Sequence, residues 1–424
     1  MTAPPASSSS GPGVAAIQSR RDRTLRDELI TDWGVKHALK KIDERTSGYG
    51  LRTRRQLLTG ALRLNRRIAP HAYRALENCR ELLGWDNPVE LYVKPDAMVQ
   101  AFCTRSVSGP IIIGVSSRLL ETFTDPELQF VLGHELGHAV FDHFAIPMPA
   151  TATLQDVGGK FVSRPVSIKL YLWCRAAEIS ADRAGLLCAG SVEHGAYALL
   201  KTASGLGSNI IRPDLEAFTS QIDALHAAPA ACADERDEEQ LLDCFDTHPY
   251  SPLRVRALLA FGRSKAFQTA TGKPADGIDS DELERIVEHD LTVMEPSYLE
   301  DRTDTSELMR RVLFCAGTCV AAANGEIAPS ELRALRALLG SRNVDIPDQL
   351  DAIKTELADK LKEARDKVPF AGRAQIVQHA TIIAAADGSV DASELAQLLV
   401  VAEGLGVDPS VIDHTLAGAA APMD

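Results

Sequence analysis

The sequence has no apolar run of about 18 residues or more, the length that a membrane-spanning helix needs. We therefore expect a cytoplasmic chain with no transmembrane segment and at most peripheral contact with a membrane. The first 13 residues also lack the basic and apolar regions of a signal peptide. They are rich in alanine, proline, serine and glycine, and we expect residues 1–19 to form a disordered tail.

The eight cysteines include no Cys-x-x-Cys pair. Several lie in apolar helical stretches, where a free thiol behaves as a small hydrophobic side chain. This distribution is typical of a reducing compartment rather than of a disulfide framework.

Positive charge is scarce, and the formal net charge is −13. The acidic total argues against a chain whose main function is to bind nucleic acid. Residues 20–67 are locally basic and could touch a nucleic acid or an anionic surface. A solvated helical face explains this stretch better, so we expect no nucleic-acid partner.

The most informative stretch is residues 134–138, which read His-Glu-Leu-Gly-His. On a helix, His134 and His138 lie on one face and can point at one shared atom. Glu135 lies beside that atom and can take a proton from a water bound to zinc. The alternative is an ordinary helix with two polar residues near its surface. The flanking residues are apolar, and a buried cluster of this kind is costly unless it is paired or bound to metal.

Hydrophobic periodicity predicts a mainly α fold with a small β-sheet. Strands are expected over residues 89–93, 100–104 and 110–115, just before the helix with His134, which we expect to start at Asp125-Pro126-Glu127. A second long helix is expected over residues 168–189. The expected domains are a helical region 20–69, a catalytic domain 70–265, a linker 266–302 and a helical domain 303–424.

Two histidines need at least one more protein ligand to bind zinc. His143 is one candidate, but its spacing does not fit the His-Glu-x-x-His-x-x-Gly-x-x-His pattern, and we expect it to be a helix-end residue. Glu178 on the second long helix is the better candidate. Asp182 follows it on the same face, and a carboxylate there can orient the ring of His134. The alternative is a solvated acidic edge, which the small apolar neighbours disfavour.

Three blocks now stand in order: 130–138, Glu178-Ile-Ser-Ala-Asp182, and Thr247-His248-Pro249 with Arg254. Together they resemble the zinc metallopeptidase family that includes HtpX-type heat-shock proteases and CAAX prenyl proteases, over about residues 70–262. The resemblance implies a zincin-like fold and a zinc endopeptidase with one zinc per chain. It implies the ligands His134, His138 and Glu178, with Glu135 as catalyst. It also implies that His248 lies at the active site and that Arg254 helps to fix it.

Ala101-Phe102, which stands before Ile111-Ile-Ile-Gly114 and before the first block, also resembles the substrate-side strand of that family. We expect this edge strand to hold a protein or peptide substrate as an added strand. A zinc-activated water would then hydrolyse the peptide bond, with Glu135 as general base and afterwards general acid.

Residues 320–332 and 383–395 repeat each other, and each copy is expected to form a helix, a glycine turn and a helix. The second copy matches the back half of an EF-hand loop, but its first ligand positions carry no side-chain oxygen, so standard calcium binding is disfavoured. Capped helices explain the same residues. Residues 305–418 resemble the all-helical TerB-like domain of tellurite resistance, which implies an interaction module and a possible protein partner.

The prediction is therefore a zinc metalloendopeptidase with a helical C-terminal module. The main alternative is a catalytically silent, zinc-stabilised scaffold whose TerB-like domain binds a partner. The carboxylate of Glu135 between the two histidines favours the enzyme, because a scaffold has no need of it.

Overall fold

The protein is described from a computed structural model, which covers residues 12–32, 35–36, 39, 49–105, 109–146, 164–207, 210, 214–227, 247–291, 294, 303–325, 327–339, 350–387 and 389–418. The fold is mainly helical with one small sheet, as predicted. The described residues form two compact units. The first contains the described residues up to Ile146, from Trp173 to Leu225 and from Thr247 to Leu291, and the second contains the rest.

The helices and strands up to the end of the first unit are α1 (Pro12–Ala15), α2 (Arg20–Thr31), α3 (Tyr49–Gly60), β1 (Leu62–Leu64), α4 (Pro70–Leu82), β2 (Val89–Lys94), β3 (Ala101–Arg105), β4 (Ile111–Ser116), α5 (Ser117–Thr122), α6 (Asp125–Val140), α7 (Arg164–Ala189), α8 (Val192–Ser204), α9 (Leu215–Ala227), α10 (Ser251–Gly262), α11 (Lys265–Ala270) and α12 (Ser280–Leu291). The three predicted strands appear as β2, β3 and β4, with bounds that differ by a residue.

The sheet has the strand order β1-β2-β4-β3. β2 pairs with β4 in parallel, from Val89 opposite Ile111 to Lys94 opposite Ser116. β3 pairs with β4 antiparallel and lies at one edge of the four strands. All six residues of β4 are buried, which fits its continuous apolar run in the centre of the sheet. The predicted turn between β3 and β4 lies partly outside the described residues.

α6 starts where its cap residues predict. Glu127 accepts a hydrogen bond from the backbone N–H of Thr124 at 2.7 Å, and Pro126 stands in the first turn. The Glu127 carboxylate also receives Lys201 Nζ at 2.6 Å, and both side chains are buried. Most of α6 is buried on several sides, as its apolar flanks predict.

α6 and α7 pack unusually closely because glycines face each other. A Cβ on Gly133 would lie 2.7 Å from the Cβ and Sγ atoms of Cys188, and one on Gly185 would lie 2.6 Å from the Phe130 carbonyl oxygen. A Cβ on Gly137 would lie 2.9 Å from the Cβ of Ala184. Side chains that project from either helix near this contact are therefore brought within a few ångströms of one another.

Two segments differ from the predicted domain boundaries. Residues 266–302 read as a linker because they contain Gly, Pro and Asp, yet the structure forms α11 and α12 there, within the first unit. The physical reason is the spacing of Leu283, Val287 and Leu291, which gives α12 a buried apolar stripe. The expected tail 1–19 also has a described part, in which Val14, Ile17 and Ser19 are buried.

The second unit is helical throughout its described residues. Its elements are the start of α7, then α13 (Asp304–Ala321), α14 (Pro329–Leu339), α15 (Leu350–Lys367), α16 (Phe370–Ala384), a 3-10 turn (Ala385–Asp387), α17 (Ala392–Leu405) and α18 (Ser410–Gly418).

Both copies of the C-terminal repeat use their acid as a helix cap. Glu331 accepts the backbone N–H of Ala328, and Glu394 accepts that of Asp391, each at 2.8 Å. Gly325 has φ 101°, a backbone conformation that favours glycine, and lies in the turn that follows α13. Asn324 Nδ2 donates to Glu394 Oε1 at 3.3 Å, which joins the two copies. Gly388, the matching glycine, lies outside the described residues.

No helix among the described residues is long and apolar enough to cross a membrane. Six cysteines within that part of the chain are free thiols, five of them buried.

Candidate metal centre

α6 and α7 bring three of the predicted ligand side chains together. Nε2 of His134 and Nε2 of His138 are 3.3 Å apart. Glu178 on α7 places Oε2 3.4 Å from His134 Nε2 and Oε1 3.4 Å from His138 Nε2. These three residues form a cluster whose donor atoms lie close enough together to hold a metal ion.

The spacing of this triangle fits a small tetrahedral ion. Ligand atoms bound to zinc at about 2.0–2.1 Å in tetrahedral geometry lie roughly 3.3–3.4 Å from one another. The two ring nitrogens have this separation, and each also has it from one Glu178 oxygen, Oε2 for His134 and Oε1 for His138. A tetrahedral ion held by these three side chains would have a fourth position for a non-protein ligand.

Asp182 fixes the ring of His134. Its Oδ1 lies 2.9 Å from His134 Nδ1, as expected from the spacing on α7. Arg254 binds the same carboxylate through Nε and Nη2, at 2.8 and 2.7 Å. Burial favours a higher pKa for Asp182, but the guanidinium of Arg254 outweighs it and holds the pKa below its ordinary value.

His138 is fixed through a second imidazole. Its Nδ1 lies 2.9 Å from Nδ1 of His143, which stands in a 3-10 turn (His143–Ala145) after α6. The other nitrogen of His143 lies 3.0 Å from Oδ2 of Asp22 on α2. Burial lowers the pKa of His143, although Asp22 acts in the opposite direction.

The sequence did not predict this second set of contacts, from His138 through His143 to Asp22. His143 is more than the expected helix-end residue, since it is 2% exposed and hydrogen-bonded on both ring nitrogens. The position of His143 five residues after His138 was a sequence signal that the two rings could meet. Asp22 lies 121 residues from His143. The only local signal for Asp22 is that it is an acidic residue on the face of α2 that also carries Leu25 and Leu29.

The arrangement suits a cation. Asp182 can only accept hydrogen bonds, so His134 Nδ1 carries a proton and a neutral ring has its lone pair on Nε2. That lone pair and the two carboxylate oxygens of Glu178 converge on one region. Oε2 of Glu178 is buried and accepts no hydrogen bond from the described residues, and the guanidinium of Arg254 lies 3.5 Å from it. A metal ion in this region would add positive charge beside these buried acceptors.

Glu135 lies on α6 between the two histidines and is 8% exposed. Burial raises the pKa of Glu135 above its ordinary value, with the neighbouring histidines acting in the opposite direction. The Cys103 thiol on β3 has a pKa that burial raises, with a smaller contribution from the charge of Glu135.

The side chain of His248 is 62% exposed and lies at the rim of the cluster. Its Nε2 is 3.5 Å from Oε1 of Glu178, and its Nδ1 is 2.8 Å from the Thr247 hydroxyl. His248 therefore lies beside Glu178, and most of its ring is exposed.

The two expected substrate-side residues, Ala101 and Phe102, form the start of β3. The Phe102 ring covers Gly114 and packs beside Tyr92 and Ile112, on the other face of the sheet from the large core cluster. Ala101 and Cys103 pack against that large cluster, which includes α6. The side chain of Phe102 therefore lies on the face of the sheet away from α6.

Family models match both units. Residues 85–261 match the model of Peptidase family M48, and residues 310–415 match that of the tellurite resistance protein TerB. The chain carries a peptidase M48 domain followed by a TerB domain. Its fold and order agree with the predicted family resemblance. Peptidases of the M48 family use a metal, usually zinc, and the cluster of His134, His138 and Glu178 lies within the matched residues.

Two kinds of curated relative agree with the M48 match. The chain is 31% identical over 204 residues to the plastoglobule-localized metallopeptidase 48, chloroplastic, of Arabidopsis thaliana, covering 46% of this chain and 57% of the plant protein. It is 33% identical over 82 residues to the protease HtpX homologs of two Tropheryma whipplei strains, covering 19% of this chain and 28% of each homolog. No solved structure matches the chain. The family and these relatives support a protease.

Proposed function

We propose that the protein is a zinc-dependent metalloendopeptidase. The observation that carries the proposal is the cluster of His134, His138 and Glu178, in which the two ring nitrogens lie 3.3 Å apart and each lies 3.4 Å from one Glu178 oxygen, a spacing that suits zinc. Bound there, zinc would act as a Lewis acid that polarises a peptide carbonyl and makes a water nucleophilic near neutral pH. The chain's own residues would supply the remaining functions.

Glu135 is the proposed general base and acid. One of its carboxylate oxygens would take a proton from the attacking water and then deliver it to the nitrogen of the leaving amine. A pKa raised by burial suits this role, because a carboxylate that is too acidic would hold the proton too weakly to transfer it. Its place on α6 beside both histidines puts it next to the attacking water.

His248 is the proposed stabiliser of the oxyanion. Its exposed ring at the rim can donate a hydrogen bond to the carbonyl oxygen as negative charge develops there. Arg254 does not contact substrate in this proposal. It holds the Asp182 carboxylate through two hydrogen bonds, and Asp182 in turn holds the ring of His134.

β3 is the proposed substrate strand, bound through its backbone. Ser116 donates its N–H to the carbonyl of Gln100, so hydrogen-bonded and non-hydrogen-bonded pairs alternate from there. By this alternation Phe102 pairs with Gly114, whereas the N–H and C=O groups of Ala101 and Cys103 point to the open edge. A peptide can add there as an antiparallel strand.

The first test measures zinc and cleavage in the same preparations. We expect about one zinc per chain in the wild type, and zinc binding weakened by at least about a hundredfold in Glu178→Ala, since a ligand is lost. Glu135→Gln should retain zinc but cleave casein about a hundredfold to ten-thousandfold more slowly. Negligible zinc affinity in the folded wild type would refute the proposal. A wild type that binds zinc but cleaves no peptide would favour the silent scaffold.

A second test addresses the substrate strand. Ala101→Pro removes an outward N–H that does not belong to the β3–β4 ladder, and proline is tolerated on edge strands. Cleavage should fall at least about tenfold with zinc affinity unchanged. Ala101→Ser keeps the N–H and is the matched control. Equal cleavage by both variants would exclude strand addition at this position.

The endopeptidase specificity, a protein partner for the TerB domain and the expected cytoplasmic localisation stay predictions.

A further inference from the structure

The two proposed histidine ligands are oriented by different hydrogen-bond partners. His134 contacts a carboxylate directly, at 2.9 Å, and that carboxylate is held by Arg254. His138 contacts no carboxylate through its Nδ1. Its Nδ1 meets His143 at 2.9 Å, and His143 meets Asp22 at 3.0 Å. Both of these supporting residues are buried, with exposed fractions of 2% and 0%.

The direction of the hydrogen bonds in the series His138–His143–Asp22 follows from Asp22. A carboxylate can only accept, so Nε2 of His143 carries the proton that it shares with Asp22. A neutral His143 then has its lone pair on Nδ1, and it must accept from His138 Nδ1–H. With its proton on Nδ1, His138 has its lone pair on Nε2, the atom in the triangle with His134 and Glu178. The chain therefore selects the tautomer that can bind a metal.

Asp22 is itself held in place. Its Oδ1 accepts a hydrogen bond from Trp173 Nε1 at 3.0 Å, and Gln18 Nε2 donates to Oδ2 at 2.9 Å. Trp173 is fully buried on α7, the helix that carries Glu178. The carboxylate is thus fixed relative to the helix that supplies the third proposed ligand.

The segment around Asp22 is also anchored at both ends. Ser19 donates its backbone N–H to the Ser180 hydroxyl at 3.0 Å and its own hydroxyl to Glu284 at 2.9 Å. Arg26 donates to Asp142, the residue just before His143, at 2.6 Å. α2 therefore braces α7 and the turn after α6 at the same time, although it lies outside the residues that match the peptidase model.

We propose that Asp22 and His143 are positioning residues of the metal centre, which orient the ring of His138 and set its tautomer for metal binding. The N-terminal helix α2 is then a structural part of the centre. The inference rests on the proposed function in one respect, because it takes His138 as a ligand. It extends that function by assigning a positioning role to His143 and to Asp22, the second of which lies outside the residues that match the peptidase model.

The test measures zinc dissociation constants by competition with a chelator in the full chain. His143→Leu and Asp22→Ala should each raise the dissociation constant about 10–100-fold, the usual effect of removing such support. His143→Gln should restore affinity to within about threefold of the wild type. Its amide oxygen can accept from His138 and its amide nitrogen can donate to Asp22. The visible spectrum of the cobalt-substituted protein should change in His143→Leu and return in His143→Gln.

Ser19→Ala is the matched control. It removes a buried hydrogen bond of the same segment, to Glu284, but it does not interrupt the chain to His138. We expect its zinc affinity and cobalt spectrum to equal those of the wild type. Denaturant unfolding of the zinc-free variants reports any general loss of stability. If His143→Leu does not fold, His143→Asn replaces it, because the shorter amide cannot reach both partners.

The outcomes separate this inference from the proposed function. If His138→Ala loses zinc but His143→Leu and Asp22→Ala bind it as the wild type does, the positioning chain is refuted and the metal site stands. If Ser19→Ala weakens zinc binding as much as Asp22→Ala, the effect comes from general loosening of α2 and the inference also fails. If His138→Ala binds zinc normally, the proposed function itself is wrong.

Discussion

The carboxylate of Asp182 contacts two other buried side chains at once, His134 and Arg254. The substitution Asp182→Asn keeps the size of the side chain but removes the negative charge that binds both His134 and Arg254. We expect the zinc dissociation constant to rise about 10–100-fold, because the imidazole is less well oriented and is a poorer donor. The measurement is chelator competition on the purified protein.

The control for this change is Asp223→Asn. Asp223 also binds an arginine, Arg256, at 2.8 Å, but its side chain is 72% exposed. Exposed ion pairs contribute little, so zinc affinity should stay at the wild-type value. An equal loss in both variants, or in neither, would contradict a specific role for Asp182.

At the scale of elements, the contact between α6 and α7 sets the distance between the proposed ligands. Gly185→Ala would place a Cβ 2.6 Å from the backbone oxygen of Phe130, which cannot rotate away. The helices must therefore separate slightly, which carries Glu178 away from α6. We expect a loss of about 1–3 kcal/mol in the free energy of unfolding together with weaker zinc binding. Chemical denaturation and zinc competition measure the two effects.

Gly60→Ala is the comparison for that prediction. Gly60 ends α3, and a Cβ there would meet nothing within 4 Å. Alanine is the better helix former, so stability should stay unchanged or rise slightly and zinc affinity should not move. If Gly185→Ala matched this control in both measurements, close packing of α6 and α7 would not be required by the site.

α16 in the second unit carries a buried histidine, His379, whose pKa burial lowers to about 4. The unfolded chain would bind a proton near pH 6.5, so the unfolded state takes up more protons between pH 6.5 and 4. The stabilising contribution of the neutral ring is complete above pH 6.5 and is lost as the pH falls through this window, by up to about 3 kcal/mol.

His379→Gln should remove that pH dependence. The difference in unfolding free energy between wild type and variant, measured from pH 7.5 to pH 4, should shift in favour of the variant as the pH falls. His71→Gln is the comparison variant, since its side chain is 72% exposed. Parallel curves for wild type and His379→Gln would refute the assignment.

Local sequence signals were sufficient for the elements that build the centre. Each of these signals acts within one element: the helix start at Pro126 and Glu127, the strand pattern before it, and the four-residue spacings on α6 and α7. The structure forms these helices and strands where they were predicted. The orientation of His134 by Asp182 could be inferred because both residues stand on faces that spacing alone defines.

The contacts that were missed depend on residues far apart in the chain. Asp22 meets His143 across 121 residues, and an acidic residue on a charged helix gives no sign of such a partner. Residues 266–302, expected to be a linker, contain α11 and α12 for a related reason. Their two glycines and two prolines dominate the local pattern, while the burial of Leu283 and Val287 depends on the rest of the first unit, against which α12 packs. The expected contact of Phe102 with substrate depends on its strand pairing, which the sequence does not reveal. In the structure Phe102 pairs with Gly114 on β4.

At the scale of the whole molecule, the described residues form two compact units, and the proposed metal centre lies in the first. A ligand that binds only the folded state stabilises the unit that holds it, by about 4 kcal/mol at a thousandfold excess over the dissociation constant. Zinc should therefore raise one of two calorimetric transitions by roughly 10 °C and leave the other in place.

His138→Ala and His379→Gln assign those transitions to the units. The first variant should abolish the shift caused by zinc, and the second should alter only the transition that zinc does not move when both are recorded near pH 5. If a chelator lowered both transitions equally, the units would unfold as one cooperative body and the binding energy of the metal would be shared. If it lowered neither, the ligand triangle on α6 and α7 would not bind zinc in the folded protein, because linkage requires a shift whenever binding occurs.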